Sequence, residues 1–185
     1  MADTASARPL VFVSLGTDHH PFPRILVMVS AWSAAHPQVE VIAQSGHTEP
    51  SGDPSLGVMP FMGPDELAAM FARADAVVCH GGPSMVMEAR KAGHSPIVVA
   101  RDPALGEHVD AHQMRFVVAL AETGSIVAVQ SAGELARAID RTLAAGKHDA
   151  EVTDTGPTPA IARIGELLDG LIDGHRSRTT SEPPS

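Results

Sequence analysis

The feature that most limits what this chain can become is an alternation. Short apolar runs rich in β-branched residues ("PLVFVSL", "DAVVCH", "SPIVVA") take turns with longer segments of helical spacing. Runs that are apolar at nearly every position suit strands covered on both faces, as in parallel sheets. Between them, "FPRILVMVSAWSAAH" sets Ile25, Leu26, Val29, Trp32 and Ala35 at helical intervals. "GPDELAAMFARA" opens with Pro64, Asp65 and Glu66, which favour a helix N-terminus. "PSMVMEARKAG" predicts a helix stopped by Gly93, "HVDAHQMRFVVALAETG" one ended by Gly124, and "SAGELARAIDRTLAA" one entered through Ser131. "QVEVIAQ", "GVMPFM" and "SIVAV" supply further strands. The rhythm predicts an α/β fold: a doubly wound, mostly parallel, Rossmann-like sheet with helices on both faces.

A chain of 185 residues fills one such core and not two generous ones. We read residues 1–8 as a flexible N-terminus, 9–145 as the core domain and 146–158 as a polar linker. Residues 159–174 form an extra amphipathic helix, apolar at Ile161, Ile164, Leu167, Leu168 and Leu171, and 175–185 a disordered tail. The formal net charge of -9 and an aromatic content of 3% argue against a nucleic-acid reader, which needs basic patches and stacking rings. The same charge argues against docking on anionic lipid. No apolar run approaches the ~20 residues of a membrane span, and the N-terminus lacks a signal-peptide core. Cys79 is the only cysteine, so no disulfide can form within the chain. The expected location is the cytoplasm.

In an open parallel sheet, ligands bind beyond the carboxyl ends of the strands. Three junctions there carry chemistry. In "CHGGPSM", Gly81 and Gly82 permit close approach of a ligand to the backbone, and Pro83 suits the first helical position. The free N–H groups of that turn, with the Ser84 hydroxyl, can hold an anion such as a diphosphate without a lysine. The alternative is a tight turn that needs glycine for geometry alone. Glu88, two turns into the helix among apolar neighbours, can lean back over the turn and accept from vicinal ribose hydroxyls; otherwise it pairs on the surface with Lys91 or Arg90. "GEHVDAHQ" gathers Glu107, His108, Asp110, His112 and Gln113. His108 and His112 are expected on one helix face at zinc-ligand spacing, yet a third ligand is missing, so sugar hydroxyls are the better match and no metal is expected. A polar helix start is the plainer reading. In "SLGTDHHPF", Asp18, His19 and His20 follow Gly16 and Thr17, and a histidine there can serve as an acid, a base or a phosphate donor. Neither a Walker loop nor G-x-G-x-x-G is present.

Together, "VFVSLGTDHHPFPRIL" and "FARADAVVCHGGPSMVMEARKAGHSPIVVARDPALGEHVDAHQMRF" resemble the C-terminal, donor-binding domain of glycosyltransferase family 28. The resemblance runs over about residues 9–145. It is closest to stand-alone donor subunits of two-part enzymes: the soluble half of the eukaryotic transferase that adds the second N-acetylglucosamine to a dolichol-linked sugar, and bacterial exopolysaccharide transferase halves. It implies one half of a GT-B fold that binds a UDP-sugar. His80, Gly81, Gly82, Pro83 and Ser84 then lie against the diphosphate, and Glu88 takes the ribose hydroxyls. Asp110, His112 and Gln113 belong to the donor-sugar side, with Glu107 and His108 of the same polar cluster as further donor-binding candidates; Phe61 and Met62 face the uracil, and Gly16 and Thr17 meet the phosphates and the acceptor side. His19 and Asp18 are the candidate catalytic residues. The chain starts almost at the first strand of the donor half, which implies a membrane-associated partner subunit carrying a lipid-linked glycan acceptor. The expected activity is inverting transfer of a sugar from UDP to that glycan, with no metal or other cofactor. The alternative is a non-catalytic sugar-nucleotide-binding or regulatory module.

Overall fold

The computed structural model describes residues 8–50 and 52–146. The expected N-terminus 1–8 (Arg8 apart), the linker 146–158 (Gly146 apart), the helix 159–174 and the tail 175–185 lie outside the described residues. Within the described residues, six parallel strands alternate with five helices: β1 (Leu10–Ser14), α1 (Pro23–Ala35), β2 (Glu40–Gln44), β3 (Gly57–Met59), α2 (Pro64–Arg73), β4 (Ala76–His80), α3 (Pro83–Lys91), β5 (Ile97–Val99), α4 (His112–Glu122), β6 (Val127–Ala128) and α5 (Ala132–Ala145). The strand order is β3-β2-β1-β4-β5-β6. This is the doubly wound order in which the chain turns from one direction to the other between β1 and β4.

Burial follows the period of two. Val11, Val13, Val41, Ala43, Val78, Ile97 and Val99 pack into one cluster with the buried faces of α1 and α5. Their neighbours point the other way. Leu10, Phe12 and Val77 meet Phe71 of α2, while Cys79 and Val98 meet Val86, Phe116, Val117 and Leu120 of α3 and α4. Phe12 and Phe71 meet edge to face with centroids 5.4 Å apart. Removing one such aromatic side chain from water stabilises the fold by about 1.5–3 kcal/mol. A polar pair also sits inside the sheet: the buried Ser14 hydroxyl donates to Gln44 Oε1 at 2.6 Å across the β1–β2 register. Burial pushes the Cys79 thiol up to about 12, leaving it a packing residue.

The helix ends obey the sequence signals. Pro23, Pro64 and Pro83 open α1, α2 and α3. Ser131 caps α5 by accepting from Glu134 N, and Glu134 returns bonds to the amides of Ser131 and Gln130. Gly93 and Gly124 stop α3 and α4 with φ of 88° and 71°. One expectation fails. α4 begins at His112, not at His108, because the Asp110 side chain accepts from the His112 amide at 2.8 Å and closes a turn just ahead of the helix. His108 and His112 therefore do not share a helix face. β3 is shorter than "GVMPFM" suggested, and Phe61 and Met62 stand in the loop beyond it.

Candidate functional site

The carboxyl ends of β1 and β4, where the sheet order reverses, build a crevice around one histidine. His80 ends β4 and is 9% exposed. Its ring lies between two glycines. A Cβ on Gly16 would fall 2.4 Å from His80 Cε1, and one on Gly82 would fall 2.2 Å from His80 Nε2. Gly16 also has φ of 73°, the left-handed region. A Cβ on Gly81 would meet Val117 Cγ2 at 2.4 Å. So the glycines first make room for the protein's own side chains, a role the sequence could not reveal. Burial, with help from the nearby Arg101 charge, pulls the His80 pKa down to about 4.

Pro83 and Ser84 follow directly as the first residues of α3, with Ser84 exposed. A helix leaves its first N–H groups without an intrahelical acceptor, and those of α3 follow directly on the end of β4, an arrangement suited to a phosphate. Glu88 is exposed on the same helix and accepts from Lys91 Nζ at 2.7 Å. Screening makes such a surface pair weak, so the carboxylate can be redirected at little cost. Beside the turn, Gly81, Pro83, His108, His112, Gln113 and Phe116 line a cavity of about 170 Å³. Five residues singled out from sequence thus meet there, drawn from β4–α3 and β5–α4.

The loop after β1 forms the opposite rim. Asp18 Oδ1 accepts from the His20 amide at 2.8 Å and lies 2.7 Å from His20 Nδ1. Burial alone would raise the Asp18 pKa; the His20 bonds and the Arg101 charge outweigh it and leave it lowered. Its other oxygen stands 3.6 Å from His108 Nε2, which ties the first loop to the third. His19 is far more exposed, with Nδ1 3.9 Å from Asp18 Oδ1, and Thr17 is exposed. Asp110 Oδ2 lies 2.8 Å from His112 Nδ1, and the Asp110 pKa is lowered, most of all by the amide of His112. Phe61, 51% exposed, meets His47 edge to face at 5.2 Å, and His47 Nδ1 lies 3.3 Å from the Asp18 carbonyl. Met62 is half-buried beside Phe61.

Two arginines hold these loops in place, and the sequence motifs marked neither. Arg101, 1% exposed, donates to the carbonyls of Leu15 at 2.9 Å, His20 at 2.6 Å and Glu107 at 3.0 Å. Its guanidinium also stacks over the Phe22 ring, 4.8 Å from the centroid. The signal was there: a charged residue at the very end of the buried run "PIVVA" has to be satisfied by its surroundings. Arg24 of α1 donates to both carboxylate oxygens of Glu107, at 2.9 and 2.7 Å, and the Asp102 amide donates to the second oxygen as well. Glu107 is therefore 4% exposed and engaged on both oxygens within the protein rather than facing the cavity with His108 and His112.

No curated protein matches the chain. Solved structures do. The glycotransferase of kitacinnamycin aligns with 21% identity and a TM-score of 0.56 over 94% of this chain and 41% of its own. The calicheamicin glycosyltransferase CalG4 aligns with 19% identity and a TM-score of 0.55, covering 99% of this chain and 45% of that one. SnogD, a glycosyltransferase from Streptomyces nogalater, aligns with 22% identity and a TM-score of 0.55, covering 90% of this chain and 41% of that one. At such identities the likeness establishes the fold, half of a GT-B architecture, and this chain spans less than half the length of each. The sequence itself carries the relationship further: the family model described as the glycosyltransferase family 28 C-terminal domain matches residues 24–161, and the chain belongs to that family.

Proposed function

We propose that this domain binds a UDP-sugar in the crevice between β1 and β4 and acts as the donor half of a two-component inverting glycosyltransferase. The observation that carries the reading is the junction at β4. A glycine-lined turn feeds its free amides into the α3 N-terminus at the point where the sheet order reverses, beside a cavity lined by Gly81, His108, His112 and Gln113. The diphosphate lies against residues 80–84 and the Gly16–Thr17 turn, the ribose against Glu88, the uracil near Phe61 and Met62, and the sugar against His108, Asp110, His112 and Gln113. Glu107 supports this wall through Arg24 rather than touching the sugar.

Inversion is a single displacement. A base takes the proton of the acceptor hydroxyl, the oxygen attacks the anomeric carbon, and UDP departs. The charge that develops on the leaving diphosphate is met by the α3 N-terminus, the backbone amides and the buried Arg101 guanidinium, so the transfer needs no metal. Asp18 and His19 are the base candidates on this chain. The acceptor is a lipid-linked glycan presented by a membrane-associated second subunit, and the domain works at the cytoplasmic face of a membrane. The family resemblance supports this assignment.

Calorimetry with UDP tests the site. Glu88→Gln keeps the size of the side chain and removes its charge, so binding should weaken by about 1.5–3 kcal/mol, the range for hydrogen bonds to a charged group. Unchanged UDP affinity in a folded variant would overturn the ribose assignment.

A further inference from the structure

We propose that the outer face of α4 is a self-association surface, on which two copies of this chain pair antiparallel about a two-fold axis. The proposal is independent of the donor-site assignment above.

The inner face of α4 sets Phe116, Val117 and Leu120 against the sheet. At 3.6 residues per turn, the positions directly opposite are Ala111, Arg115, Val118 and Glu122, and all four are exposed. The middle of this outer stripe is apolar rather than charged. Val118 is 56% exposed, and Met114 and Ala119 flank it half-buried. These residues, with Ala111, Arg115 and Glu122, line a shallow groove of about 430 Å³. A second hollow of about 250 Å³ shares Met114 and Val118 and adds Leu105, itself 60% exposed. Of the six large apolar side chains exposed among the described residues, Leu105, Val109 and Val118 come from this one segment, so the exposure is concentrated in a patch rather than scattered singly.

Charge indicates what covers the patch. Among the described residues, the side chains of Arg115 and Glu122 have no ion-pair or hydrogen-bond partner. With a rise of 1.5 Å per residue they stand about 10 Å apart along the helix, too far to pair with each other. They bracket Val118 and Ala119 symmetrically, since Arg115 precedes Val118 by as many residues as Glu122 follows Ala119. A two-fold axis passing between Val118 and Ala119, perpendicular to the helix, therefore sets Arg115 of each copy opposite Glu122 of the other. The same axis sets Val118 against the small Ala119, which lets the helices approach closely. A closed two-fold contact requires a surface complementary to itself, and this face is so in charge and in shape. A different protein would need no such symmetry. The chain carries a net charge of -9, so two copies repel at long range, but the outer stripe of α4 holds one charge of each sign and adds no repulsion of its own.

This pairing leaves the crevice open. α4 starts beside it, where His112 and Gln113 line the cavity, and runs away from it. Antiparallel helices thus turn the two crevices toward opposite ends of the dimer. One helix face with Leu105 and Val109 at its rim is a small interface, so the association belongs to the weak class, with a dissociation constant of about 10–100 µM.

Sedimentation equilibrium of the full chain at physiological salt, from about 5 to 500 µM, should show the average mass rising from that of one chain toward that of two. Val118→Asp should weaken association by more than about tenfold, because a charge is then buried against Ala119 without a partner. Arg115→Glu and Glu122→Arg alone should each weaken it by more than about tenfold, since like charges then face each other. Mixing these two single variants should restore association, between unlike copies only, because the two altered faces are opposite in charge. The double variant Arg115→Glu, Glu122→Arg should associate with itself as the wild type does. Val27→Asp, an equally exposed site on α1, should change nothing. Circular dichroism checks that each variant is folded. A chain that stays monomeric over the whole range would overturn the proposal and leave this face to another segment or another protein. So would a dimer kept by folded Val118→Asp, which places the contact elsewhere, or a failure of the mixed single variants to associate, which rejects the antiparallel register.

Discussion

His80 is a histidine kept neutral by where it is put. Burial and the Arg101 charge lower its pKa from 6.5 to about 4. The unfolded chain takes up a proton near pH 6.5, whereas the folded chain does so only near pH 4. Between those values the unfolded state holds more protons, so stability falls as pH drops through the window and is fully present above it. The loss should approach about 3 kcal/mol by pH 4, at about 1.36 kcal/mol for each pH unit between the two pKa values. Urea unfolding of the wild type and of His80→Asn, from about pH 7.5 down to about pH 4.5, isolates this contribution because all other acid-sensitive groups are shared. A variant whose stability declines as steeply as the wild type would show that His80 is not the residue responsible. The surrounding glycines follow a related logic. "HGG" at the end of a buried run marks the junction from sequence alone. That Gly16, in the loop after a different strand, is needed to seat the same imidazole is a matter of two strands lying side by side, and local sequence does not carry it.

At the scale of elements, the strands and helices were legible wherever period and punctuation agreed: β1 and β4 from continuous apolar runs, α2 and α5 from their opening residues. The start of α4 was not, since an aspartate-capped turn and a first helical turn share the same residue types. Arg101 at the end of a buried run signals a charge that needs partners, but which partners was out of reach, because its three acceptors are carbonyls, which no side-chain pattern reports. Arg101→Met should therefore cost more than its volume suggests. It leaves the Leu15, His20 and Glu107 carbonyls without their donor in a buried setting, at about 1–3 kcal/mol for each group left unsatisfied. Removing the buried guanidinium also removes its own desolvation cost, so the net loss of stability in denaturant melts should be about 2–4 kcal/mol, together with weaker UDP binding as the loop after β1 loses its anchor. Trp32 is the single tryptophan and is 4% exposed, so its fluorescence follows the melt directly. Arg101→Lys keeps the charge but not the planar fork, and should recover only part of the loss.

For the whole molecule, the division of labour can be tested in one reconstitution. If the proposed function holds, co-expression with a membrane-associated acceptor subunit should let the domain transfer sugar from a UDP-sugar to a lipid-linked acceptor. Alone it should transfer little. Activity of the pair should survive EDTA, since neither the α3 N-terminus nor Arg101 depends on an ion. Full transfer by the isolated chain would remove the need for a partner, and an EDTA-induced loss restored by magnesium would assign the leaving-group charge to a metal.

The pairing of α1 with α5 has a further consequence, for the order of events in synthesis. Trp32 of α1 donates through Nε1 to Asp140 of α5 at 2.9 Å, and the two helices share one side of the sheet with β1 at its centre. β1 leaves the ribosome well before its neighbour β4 and before α5, the helix that completes its cover. Until then its apolar surface has no permanent roof, so the nascent chain must wait for long-range closure instead of folding piece by piece. The same tryptophan that reports equilibrium unfolding would mark this final seating step in refolding, as a late quench or shift that follows the formation of helical signal.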